Sequence, residues 1–247
     1  MKSQLTNEER LSNLIEFGKM IIDECRKNEL EIRYFGSVGV YYQCLKKTEK
    51  IDSIRWIKDL DLIFKEQDDL PDILTIFQKH GFEYSKELMV QTEGKRTVLY
   101  REKDNDFTID LISNPFNYAQ TIDFEKRFSI DEYSLSVTDL FLTRMQPIKL
   151  EQKDIVDIML LIDIYGLSEN TEDAVNINRV VEVLRKNWGF CHTYMKNMKV
   201  LEQNNLNSTV FESLVNATKQ SKKTIRWKLR SIFREYLKYY QTVEKIN

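Results

Sequence analysis

Apolar residues recur at helical spacing near the start of the chain, at Leu11, Leu14, Ile15, Met20, Ile21 and Ile22. The spacing predicts a helix over 8–28, with Thr6 or Asn7 as its cap and acids in the first turn. A short apolar strand, 32–35, runs into Gly36-Ser37, and a second helix follows over 38–47. A polar loop over 48–56 leads to 59–64, where Asp59 and Asp61 alternate with Leu60 and Leu62 as in a half-buried strand. Asp68-Asp69-Leu70-Pro71 opens another helix, which His80-Gly81 closes. Strands are predicted over 82–88, 96–101 and 107–112, with Lys103-Asp104-Asn105-Asp106 turning between the last two.

Beyond Asn114-Pro115 the pattern becomes helical. Ser136 or Thr138 caps a helix running to Gln146, which Pro147 ends, and an apolar helix over 151–165 stops at Gly166. Helical spacing then continues over 176–188, 190–204, 208–219 and 223–245. The chain therefore reads as α+β: a mixed sheet flanked by helices over 1–130, then an all-helical region over 131–247.

Composition narrows the setting. The 247 residues suffice for one large domain or two smaller ones, and 42% hydrophobic with 31% charged residues suits a soluble globular protein. No apolar run is long enough for a bilayer and the N-terminus lacks a signal-peptide core, so the cytoplasm is the expected compartment and no membrane partner is expected. Three widely spaced cysteines argue against disulfides or a zinc site. His80 and His192, the two histidines, have no ligand-like spacing. Neither a GxxxxGK[ST] loop nor GxGxxG occurs. A net charge of −2 gives no overall attraction to nucleic acid.

The chemistry concentrates between residues 33 and 64. Gly36 lets the backbone approach a bulky anion, Ser37 offers a hydroxyl, and the amides opening the next helix offer donors to phosphate oxygens. Asp59 and Asp61, two apart on a strand, face the same side. Two carboxylates facing one spot repel unless a cation lies between them, and Mg²⁺ takes such oxygen ligands together with substrate phosphates. An exposed strand face with alternating acids is the plainer reading of the pair. Asp110, sharing a face with Thr108 in Phe107-Thr108-Ile109-Asp110-Leu111-Ile112, is a third candidate ligand or else a strand-edge acid.

Gly36-Ser37, a helix and then Asp59-Leu60-Asp61 resemble the signature of the polymerase-beta-like nucleotidyltransferases. Ser136-Val137-Thr138-Asp139-Leu140-Phe141-Leu142-Thr143-Arg144-Met145-Gln146, followed by Lys153-Asp154-Ile155-Val156-Asp157-Ile158, is similar to conserved blocks of the AbiEii/MenT-type nucleotidyltransferase toxins. The resemblance implies Asp59, Asp61 and Asp110 as catalytic ligands of Mg²⁺ or Mn²⁺. It implies Gly36, Ser37, Lys58, Arg144, Asp154 and Asp157 as the nucleotide- and phosphate-binding set. Lys58, opposite to the acids on a regular strand, also reads as a packing or surface lysine. Arg144 stands where the family has lysine; guanidinium still pairs with phosphate, but bidentately. Asp154 and Asp157, one helical turn apart, either join the active site or form an exposed acid pair beside Lys153.

The implied reaction transfers a nucleoside monophosphate from an NTP to an acceptor hydroxyl on RNA or tRNA, in a toxin with a cognate antitoxin protein as partner. Two alternatives stand beside it. One is an antibiotic-type enzyme with a small hydroxylated acceptor; the other is an idle nucleotide- or RNA-binding module. Between Lys219 and Lys238, leading into and along the last helix, lie Lys219, Lys222, Lys223, Arg226, Lys228, Arg230, Arg234 and Lys238 against Glu235 alone, with an apolar stripe of Ile225, Leu229, Ile232, Phe233, Tyr236 and Tyr240. Such a helix either docks one face and solvates the other or binds an RNA backbone.

Overall fold

A computed structural model describes residues 5–101, 107–232 and 240. The turn expected at Lys103–Asp106 and the end of the last helix, with Phe233, Arg234, Glu235, Tyr236 and Lys238, lie outside the described residues. The architecture is α+β. The chain divides into two compact units, one of Met1–Phe116 with Asp123–Ser136, the other of Asn117–Ile122 with Val137–Asn247.

The first unit is built on a five-stranded sheet ordered β1 (Ile32–Tyr34), β2 (Asp59–Phe64), β5 (Thr108–Ser113), β4 (Arg96–Tyr100) and β3 (Glu83–Tyr84). β2 and β5 run parallel, and every other pairing is antiparallel. Parallel neighbours cannot be joined by a tight turn, so the intervening helices and strands serve as the crossover. β2 extends over the residues its alternation predicts. Leu60, Leu62, Ile109, Leu111 and Leu99 are fully buried on the core side, each worth about 1.5–3 kcal/mol on leaving water.

Helix α1 (Asn7–Lys27) begins with a reciprocal cap: Thr6 accepts from the Glu9 amide, and Glu9 accepts from the Thr6 amide. It packs on β1, and Gly18 makes that approach feasible, because a Cβ there would lie 2.2 Å from the Tyr34 ring. Helix α2 (Gly36–Lys47) packs on β1 and β2, and α3 (Leu70–Lys79) packs on α1 and β3. Beyond β1, the Tyr34 amide and carbonyl bond to Tyr133 and Leu135, which adds a short rung at the sheet edge.

One expected strand is cut short by a helix. Within 82–88 the strand stops at Tyr84 and α4 (Lys86–Gln91) begins. Ser85 caps it by accepting from the Leu88 amide at 3.3 Å, and Lys86, Glu87, Leu88 and Met89 are all good helix formers.

The second unit contains α5 (Val137–Arg144), α6 (Gln152–Tyr165), α7 (Ile177–Leu184), α8 (Trp188–Gln203), α9 (Ser208–Gln220) and α10 (Ile225–Ile232). Phe141, Ile158, Leu161, Phe190, Tyr194, Met198, Leu201 and Leu214 are fully buried. Two departures from expectation are local. A short parallel strand pair, Leu167–Ser168 with Val175–Asn176, interrupts the helices. The helix expected to reach Trp188 ends at Leu184, because Asn187 caps α8 by accepting from the Phe190 amide at 3.0 Å.

Candidate functional site

The acid face of β2 is anchored just before its first residue. Arg10, buried on α1, donates to the carbonyls of Ile57 and Lys58 at 3.0 and 2.8 Å, anchoring the chain just before the strand begins. Asp59 and Asp61 then stand half-buried on the face opposite Leu60 and Leu62. The parallel register aligns Asp59 with Thr108 and Asp61 with Asp110, so two carboxylates occupy facing positions on strands about 4.8 Å apart. The Thr108 hydroxyl donates to Oδ1 of Asp59 at 2.7 Å. The three acids named from the sequence therefore share one patch of one sheet face.

The Gly36-Ser37 bend adjoins this patch. Gly36 has φ +59°, and a Cβ at this position would sit 1.9 Å from Oδ2 of Asp61. Only glycine fits there on both counts. The Phe35 amide donates to the Asp61 carbonyl at 3.0 Å, which ties the bend to β2. Phe35 offers no side-chain cap to α2, so the opening amides and the positive end of the helix dipole lie beside the carboxylates. Ser37 is 6% exposed and its hydroxyl accepts from Nη2 of Arg55 in the loop between α2 and β2.

A second arginine completes the face. Arg96, at the start of β4, spans Asp110: Nε donates to Oδ1 at 3.2 Å and Nη2 to Oδ2 at 2.8 Å. Burial works against the Arg96 charge, but the hydrogen bonds and charge of Asp110, reinforced by Asp61 and Asp59, outweigh it and raise its pKa. Neither Arg55 nor Arg96 stands out in the sequence, where each is an isolated arginine. A groove of 670 Å³ lined by residues of α3, β3 and α4 contains none of these side chains.

The donor set is oxygen throughout, as a hard divalent cation requires. Asp59 and Asp61 match the one or two carboxylates that Mg²⁺ takes before substrate phosphates complete its shell. No group of three or more His, Cys, Asp or Glu among the described residues is disposed to hold a metal.

Arg144, Asp154 and Asp157 form their own cluster in the second unit. Arg144 pairs with Asp157 at 3.0 Å and with Asp154 at 3.6 Å. The acids share a face, as their spacing predicts, but they are not an exposed pair beside Lys153: their side chains are 6% and 0% exposed. Asp154 also accepts from the Glu151 amide at 3.0 Å, closing a cap at the start of α6. Burial raises its pKa, opposed by that hydrogen bond and by Arg144. Lys58 is exposed, and its carbonyl accepts from Arg10.

No protein-family model matches the chain, and no curated protein matches its sequence. What the site does must be argued from its own geometry.

Proposed function

We propose that the protein is a divalent-metal-dependent nucleotidyltransferase of the polymerase-beta-like kind. The observation that carries this reading is the contact between Gly36 and Asp61, with Asp59 on the same face and Asp110 directly across. A bare backbone at a helix N-terminus beside paired carboxylates suits a triphosphate that arrives with its metal. Gly36 lets the Asp61 carboxylate lie against the bend, while Ser37 and the first α2 amides hold the phosphate oxygens. Arg55 supplies a cation against the same group. Asp59 and Asp61 would hold Mg²⁺ or Mn²⁺, whose chemistry is to neutralise charge on the phosphates. Asp110 would share the metal on the acceptor side and take the proton of the attacking hydroxyl. The acceptor oxygen forms a bond to the α-phosphorus as the bond to the pyrophosphate leaving group breaks, so a nucleoside monophosphate is transferred.

An RNA acceptor is supported by α10, where Arg226 and Lys228 are exposed. The AbiEii/MenT-like segments extend this to a toxin-type enzyme with an antitoxin partner. Incubation with each labelled NTP, Mg²⁺ and total RNA tests the proposal. Label should pass to RNA, and an Asp59→Ala, Asp61→Ala variant should lose about 10³-fold or more of the rate, the several kcal/mol a bound metal contributes. Undiminished transfer by that variant would refute the assignment. Label on an aminoglycoside or lincosamide, with RNA unlabelled, would move the acceptor to a small molecule.

A further inference from the structure

The acid face contains an arginine that the reaction as described does not use. Asp61 and Asp110 occupy directly facing positions, an arrangement that is unfavourable for like charges. Arg96 lies two residues along β4 from Val98, which faces Asp110, and its fork takes both oxygens of that carboxylate. The charges of Asp61 and Asp59 also act on the same guanidinium. A divalent cation reaching for Asp110 would have to displace this fork. The Arg96 side chain is 36% exposed and that of Asp110 20% exposed, so the pair can open without stranding a charge in a dry interior.

We propose that Arg96 is a resident counter-ion competing with the divalent metal for Asp110, so that the site resists free metal and accepts it with the nucleotide. This rests on the metal-dependent reading above. A metal arriving alone must displace the fork and leave a guanidinium without its anion. A metal–nucleotide complex brings phosphate oxygens to which that guanidinium can turn, since the planar fork suits phosphate as well as carboxylate.

Manganese binding by paramagnetic resonance, on the purified full chain without nucleotide, tests this independently of turnover. Arg96→Gln should bind Mn²⁺ about 10-fold more tightly than wild type, about 1.4 kcal/mol. Arg96→Lys, which keeps the charge but loses the fork, should fall between the two. With a non-hydrolysable NTP analogue present, wild type and Arg96→Gln should differ much less. Thermal melts of each variant establish that it is folded. Equal Mn²⁺ affinity in wild type and Arg96→Gln, or Arg96→Lys matching wild type, would overturn the competition. If Asp61→Asn abolishes Mn²⁺ binding in the same series, the metal-site assignment survives that result. Mn²⁺ binding unaffected by Asp61→Asn, or absent from every variant, would overturn the metal site and the competition together.

Discussion

Two sets of carboxylates in this protein meet arginine under opposite conditions. On the sheet of the first unit, Asp59, Asp61 and Asp110 are partly exposed, and Arg96, which holds Asp110, is 36% exposed. In the second unit, Asp157 and Asp154 are 0% and 6% exposed, with Arg144 between them at 15%. The chemistry is the same and the consequences are not. Removing one partner from a buried pair leaves a desolvated charge, at a cost of about 3–5 kcal/mol. A pair open to water contributes about 0–1 kcal/mol, and its partners can be exchanged. Burial thus separates an arginine that locks α5 to α6 from one that a ligand can displace.

The largest effect expected from this contrast is at Asp157. Asp157→Ala removes the 3.0 Å partner of Arg144 in a nearly dry site and leaves Asp154 at 3.6 Å, and chemical unfolding should show a loss of about 3 kcal/mol. A loss below about 1 kcal/mol would place the cluster with the exposed pairs instead.

A buried acid in the first unit separates the effect of burial from the effect of location. Asp131 is 8% exposed, pairs with Lys46 and accepts from the Tyr133 and Ser134 amides, both at 2.9 Å. Burial alone would raise its pKa, but Lys46 and the two amides prevail and lower it below the ordinary 3.8. The ionised form is therefore favoured by folding. Its contribution is complete above pH 3.8 and disappears as the pH falls through the lower folded-state value. Asp131→Asn keeps an acceptor for the amides and removes the charge. It should be about 1.5–3 kcal/mol less stable than wild type at neutral pH, as expected for hydrogen bonds to a charged group. Melting temperatures of the two proteins should converge below pH 3.8. A gap that persists unchanged into acid would show that the charge is not the source.

How much of this was legible beforehand differs from residue to residue. The strand over Asp59–Phe64 follows from its alternation, because each position has one neighbouring face to satisfy. That Asp61 faces Asp110 could not be read, since it depends on a parallel register set after a long crossover. The bend at Gly36 was visible as a glycine before a helix, whereas its contact with Asp61 is tertiary. Arg96 alternates with Thr97 and Leu99, both fully buried, so its face was readable; its partner on the next strand was not. The burial of Asp157 was misleading for the opposite reason. Local spacing showed two acids on one face, but Arg144, from another helix, makes that face an interior one.

The smallest expected effect is the sharpest test of the comparison. Asp61→Asn removes one of two facing carboxylates on a partly exposed face, and with it a repulsion of up to about 1 kcal/mol. Its stability should stay within about 1 kcal/mol of wild type, since the lost repulsion from Asp110 is offset by the lost attraction to Arg96, whereas nucleotide transfer should collapse. The two readouts then diverge at Asp61, where Asp157→Ala has stability as its main loss. An Asp61→Asn protein that unfolds as readily as Asp157→Ala would mean that the acid face of β2 is a structural device. In that event Asp59 and Asp61 would be held apart from solvent chemistry by the same packing that holds Asp157, and the distinction between an exchangeable and a locked arginine would fail.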